Sequence, residues 1–157
     1  MLFRSTFESA YGMLCMKLAF AFQDYQFLLD DAAISDDDKG IFKRILGRTA
    51  SMDETKSCFL LLTRMLEIHF KKSAVVILDE YDVPIAKASS NGYYSQMLDV
   101  MRAMMSTTLK DNISLDFAVV TGCLKIAKES IFTGTNNFVS DTILSPRLSE
   151  SDRKSVV

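Results

Sequence analysis

Two adjacent carboxylates, Asp79 and Glu80, directly follow the apolar run Ala74-Val75-Val76-Ile77-Leu78. Such a run, largely β-branched and without alternation, predicts a strand buried on both faces of a parallel sheet. The two acids would then emerge at its carboxyl end, where open α/β sheets bind ligands. Neighbouring strand residues point to opposite faces, so two carboxylates can divide two tasks between them. Asp79 would help to hold Mg²⁺ beside a nucleotide's phosphates. Glu80 would orient or deprotonate the attacking water. Taken alone, the pair reads equally as two solvated acids at a loop. A second run, Leu115 to Thr121, predicts a neighbouring strand whose last residue sets a hydroxyl beside Asp79. The two strand ends together favour a phosphate-hydrolysing site.

The elements that must position these residues follow from periodicity. Phe3, Phe7, Tyr11, Leu14, Leu18, Phe22 and Tyr25 recur at steps of three and four and predict an amphipathic core helix that stops near Asp30. Ser35 precedes Asp36-Asp37-Asp38 and Ser51 stands three residues before Glu54; both predict helix starts of the capping-box kind. The acids suit the positive end of a helix dipole, with a metal-binding cluster as the alternative. The first of these helices carries Ile41, Phe42, Ile45 and Leu46 and ends at Gly47; the second is expected to run through Leu61, Leu62, Met65, Leu66 and Phe70. His69, the lone histidine, is expected as a dipole partner at a helix end or as a surface residue. A Met-rich helix over about Tyr93 to Leu109, with Met97, Leu98, Met101, Met104, Met105 and Leu109 inward, joins the two strands into a parallel βαβ unit.

The fold class expected is therefore α/β: N-terminal helices over about 3–70, a βαβ unit over about 74–121, a motif loop over 122–138 and a divergent tail over 150–157, with 1–149 forming one domain. At 157 residues, 48% hydrophobic and 24% charged, the composition is that of a globular chain, not a disordered one. The net charge of -2 gives no basic field for nucleic acid. Cys15, Cys58 and Cys123 are odd in number and form no CxxC pair, which argues against a disulfide framework and a zinc site. The N-terminal apolar stretch is interrupted by Arg4, Glu8, Lys17 and Asp24, too polar for a membrane span and without a signal-peptide pattern, so the cytoplasm is the expected location.

The stretch Ile77-Leu78-Asp79-Glu80-Tyr81-Asp82-Val83-Pro84 followed by Gly92-Tyr93-Tyr94, and the later segment from Thr121-Gly122-Cys123 to Asn136-Asn137-Phe138, resemble the AAA-ATPase-like family of the P-loop NTPase superfamily. The likeness is specific over about Ser51 to Ser149 and looser over the helices before it. The resemblance implies a three-layer P-loop sandwich that binds ATP and Mg²⁺, joined in full-length relatives to a C-terminal nuclease-like domain. It places Asp79 at the Mg²⁺-associated acid, Glu80 at the catalytic acid and Thr121 at the sensor; Asp82, Lys125, Lys128 and Asn136 belong to its motifs without an assigned role.

One part of that machinery has no counterpart in these residues. None of the six glycines (Gly12, Gly40, Gly47, Gly92, Gly122 and Gly134) is followed by Lys, and Lys56-Ser57, Lys72-Ser73 and Lys154-Ser155 lack a preceding glycine, so no phosphate cradle is present. The chain is accordingly expected to be the Walker B and sensor portion of an ATPase domain within a longer gene product, without turnover by itself. Two other readings stand beside it: a non-catalytic interaction module that keeps the degenerate fold, and a metal-dependent nuclease using Asp79, Glu80 and Asp82.

Overall fold

The structure is a computed structural model, described here over residues 5–110 and 112–122. Helix α1 (Phe7–Gln23) is followed by a short 3-10 helix (Gln26–Asp30), then by α2 (Asp36–Leu46), α3 (Met52–Lys56) and α4 (Cys58–Phe70). Strand β1 (Ala74–Leu78), α5 (Val83–Asn91), α6 (Tyr94–Leu109) and β2 (Leu115–Val120) complete the described chain. This is a helix-rich architecture with a two-stranded sheet, compatible with the α/β class. Phe3, the tail 150–157 and all of the motif loop except Gly122 lie outside the described residues. Among the described residues no helix is long and apolar enough to cross a membrane.

The helix starts follow their local chemistry. The Thr6, Ser35 and Ser51 hydroxyls accept from the backbone N–H groups of Ser9, Asp38 and Glu54, each three residues on. Only Ser51 has the reciprocal half of the box, its own N–H donating to Glu54 Oε2 at 2.9 Å. Asp38 instead is buried and pairs with Arg64 of α4, while Asp36 and Asp37 stay exposed. The acidic run therefore splits into two dipole partners and one inter-helix tie.

Ser51 does not open one long helix to Phe70. The helix breaks at Ser57, whose hydroxyl donates back to Asp53 O at 2.9 Å, an alternative that Ser offers the backbone. Lys56 O, left at the break, accepts from Thr107 Oγ1 of α6 at 2.8 Å. Gly47 does end α2, but in right-handed geometry; the left-handed residue is the next one, Arg48, with φ 58°. Helix α4 closes on Lys71 in the same left-handed region. His69 is more than a dipole partner: its Nδ1 lies 2.8 Å from Asp31 Oδ2, and its ring packs between Phe27 and Phe70. The N–H of Ala33 and then His69 hold the Asp31 carboxyl below its usual range.

The core lies between α1, α2, α4 and α6. Leu18 and Phe22 from α1 meet Phe42 of α2, with the Phe22 and Phe42 rings 4.9 Å apart, while Met65, Met97, Met104 and Met105 fill the remaining space. The inward face of α6 also includes Val100 and Thr108, whereas Leu98 and Leu109 sit half-buried at its margin. Helix α5 is an element that the expected strand-helix-strand unit lacks. It begins on a Pro84-containing first turn, where a missing N–H costs nothing, and buries only Ile85 and Ala88.

The two strands are parallel, as expected, pairing Val75 with Phe117 and Leu78 with Val120 across a register shift after Ala74. The sheet is not buried on both faces. Val76 and Leu78 lean toward the helices, while Ile77 is 72% exposed and Val75, Phe117 and Val119 stand bare beside it. A continuous apolar run records that both faces suit burial; what covers the second face is decided elsewhere.

Candidate functional site

At the carboxyl end of the sheet the two strands are tied together beyond their last paired residues. Thr121 N donates to Leu78 O at 2.8 Å, and Tyr81 N returns the bond to Thr121 O at 3.2 Å. Between these two bonds the Thr121 hydroxyl both accepts and donates. Its Oγ1 accepts from Glu80 N at 3.3 Å and donates to Asp79 Oδ1. One hydroxyl thus grips both carboxylate-bearing residues, one through its side chain and the other through its backbone.

Glu80 is not an extended strand residue. It adopts φ 53°, one of three non-glycine residues in the left-handed region among those described. This conformation costs roughly 1–2 kcal/mol for a side chain with a Cβ. The left-handed turn, not strand alternation, sets Glu80 apart from Asp79, which replaces the reason given by the pleat. Arg48 and Lys71 take the same conformation at helix ends, where it is ordinary; at Glu80 it falls on the sheet edge.

Below the exposed acids lies a buried layer. Tyr81 and Asp82 are 8% and 4% exposed, and Gly122 lies directly against them. A Cβ built on Gly122 would stand 2.4 Å from Tyr81 Cε1 and 2.9 Å from Asp82 Oδ1. Burial, and then the Asp82 carboxylate, push the Tyr81 phenol above its ordinary value. Asp82 O accepts from Ile85 N and Ala86 N at 3.1 and 2.9 Å, so the same residue starts α5. The chain accordingly passes from strand to exposed acids to buried anchor to helix within a few residues.

The structure brings Asp79, Glu80 and Thr121 together, with their side chains exposed at one sheet edge. The steric part of Gly122 was not legible beforehand, although a glycine just after a strand is a general sign of close approach. Lys125, Lys128 and Asn136 lie outside the described residues. Among those described, no group of three or more His, Cys, Asp or Glu side chains is arranged to hold a metal ion. Two exposed carboxylates supply too few oxygen donors to enclose a hard divalent cation in an all-protein cage.

Residues 12–132 match the family described as predicted AAA-ATPase, which is more than half of the chain and includes α2, α3 and α4 as well as the sheet. The match therefore reaches well before Ser51, where the motif likeness begins. The chain matches no curated protein and no solved structure.

Proposed function

We propose, for a chain that belongs to the predicted AAA-ATPase family, that the Asp79–Glu80–Thr121 edge is the Walker B and sensor portion of an ATP-hydrolysing site. The reading is carried by the Thr121 hydroxyl, which joins the ends of two parallel strands at the residues where metal and water chemistry would be divided. Asp79 would hold Mg²⁺, either directly or through water, and Glu80 would orient or deprotonate the attacking water. Thr121 would fix the direction of the Asp79 carboxylate and could exchange one of its bonds for a phosphate oxygen. ATP and Mg²⁺ are the ligands implied for the intact domain, with Mg²⁺ supplying charge neutralisation on the phosphates.

The βαβ unit would then belong to a three-layer P-loop sandwich, with residues 1–149 in one domain and 150–157 as a tail. The glycine-lysine phosphate cradle is not among these 157 residues, so the edge would need it from elsewhere and have no turnover alone. Each 1.4 kcal/mol or so of transition-state stabilisation is worth a factor of ten, and a missing cradle removes several contacts at once. The bare sheet face gives a second reading, a non-catalytic interaction module that retains the fold.

Mn²⁺ line broadening in the amide spectrum, with and without ATP, tests the assignment. The expected broadening centres on Asp79, Glu80 and Thr121 and disappears in Asp79→Asn. Broadening centred on Asp36–Asp38 instead would refute the metal role. Nucleotide turnover by the chain that disappears in Glu80→Gln would keep the site assignment and overturn the inactivity.

A further inference from the structure

We infer that the cleft between α1 and α5 is a binding site for a short apolar carboxylate. Its space is about 190 Å³, below the roughly 300–1,000 Å³ of pockets that enclose drug-sized ligands, so it suits a short chain. One wall is the α1 stripe of Met13 and Leu14, and the other is Val83 and Pro84 at the start of α5; Met97 of α6 also lines the cleft. These walls belong to different helices, both anchored in the one hydrophobic core, and Pro84 fixes the backbone of the second.

Charge selects the ligand. Each wall carries a lysine about one helical turn beyond its apolar residues, Lys17 on α1 and Lys87 on α5. Among the described residues no acidic side chain lines the cleft and neither lysine has an ion-pair partner. Two ammonium groups beside an apolar slot, with no carboxylate among the described residues paired to them, complement a ligand with an apolar body and an anionic head. The Asn91 side chain, also in the lining, is already engaged, donating to Lys87 O at 2.7 Å. Asn91 therefore braces the α5 wall, and the ammonium groups remain to meet the ligand head.

The site is separate in kind from the sheet edge, since no residue of the Asp79, Glu80 and Thr121 group lines it. It stands or falls independently of the ATPase reading.

Titration of the whole chain with octanoate, followed through ¹³C-methyl methionine resonances, tests the inference. Saturable shifts are expected at Met13 and Met97, with octanol and octylammonium each at least tenfold weaker. Lys17→Ala/Lys87→Ala should weaken octanoate at least fivefold while leaving the circular dichroism spectrum unchanged. The Arg double variant, which keeps both charges, should retain binding. Octanol binding as tightly as octanoate overturns the proposal, as does an affinity unchanged in the Ala double variant. Shifts confined to methionines outside the cleft, such as Met52 or Met65, also overturn it.

Discussion

Replacing Gly122 by Ala adds one methyl group where the structure has no room for it. The new Cβ would lie 2.4 and 2.8 Å from two carbons of the Tyr81 ring and 2.9 Å from Asp82 Oδ1. Carbon atoms rest about 3.5–4.0 Å apart, so the ring must retreat by roughly 1 Å. Tyr81 and Asp82 are both buried, which leaves little space to retreat into. Gly122 is not among the positive-φ residues, so the penalty is steric, not conformational. Overpacking of this kind costs about 1–3 kcal/mol, a large part of the roughly 5–15 kcal/mol that holds a domain together. For a chain of this size the melting temperature should fall by on the order of 2–12 °C. Urea denaturation followed by circular dichroism measures the change. Gly12→Ala is the internal control, because nothing lies within 4 Å of its added Cβ on α1; it should stabilise by about 0.5–1 kcal/mol. Tyr81→Leu, which removes the ring edge, should recover about 1 kcal/mol or more of the Gly122→Ala loss as a coupling energy. A Gly122→Ala protein within about 0.5 kcal/mol of the parent, or a double variant that is simply additive, would refute the reasoning.

Glu80→Gly should raise stability by about 0.5–1 kcal/mol, since glycine takes the left-handed turn without the Cβ penalty; a loss in thermal denaturation would show that the Glu80 side chain makes a stabilising contact. Glu54 gives the clearest pH effect: the Arg44 guanidinium, and then the Ser51 N–H, pull its carboxyl from 4.5 down to about 2. A carboxyl with a depressed folded value contributes stability above its unfolded value and loses it as the pH falls. The stability difference between the parent and Glu54→Gln should therefore hold above pH 4.5 and close as the pH drops toward 2; a difference independent of pH in denaturant titrations would contradict this. Ile77→Thr keeps a β-branched residue on β1 but removes the most exposed apolar side chain of the sheet face. It should lower self-association in sedimentation velocity runs at a stability cost of no more than about 0.5 kcal/mol, and a larger cost would mean that the face is covered in solution.

What could be read beforehand divides along physical lines. Ser35, Ser51 and the two apolar runs act within a few residues of themselves, so the helix starts and both strands were legible, as was the hydroxyl of Thr121 beside Asp79. Helix α5 was missed because Val83–Asn91 is short and mixes Ala and Ser, burying too few residues to show a period; its proline was the usable sign. The break at Ser57 depends on a hydroxyl turning back to Asp53 O, which competes evenly with helix continuation until Thr107 of α6 takes up Lys56 O. The left-handed turn at Glu80 and the contact of Gly122 with Tyr81 need both strand ends to be in place. The exposure of Ile77 is likewise a property of neighbours, not of the run Val75–Leu78.

The spacing of the two strands also sets a schedule for synthesis. All of α5 and α6 separates Leu78 from Leu115, a segment of 36 residues. At roughly 5–20 residues per second this is a delay of about 2–7 s on the ribosome. For that interval β1 lacks β2, its one pairing strand among the described residues, and afterwards Ile77 and Phe117 remain uncovered on one face. The nascent chain thus exposes an extended apolar segment before its sheet can form, and any contact that segment makes in the interval competes with closing Thr121 onto Asp79.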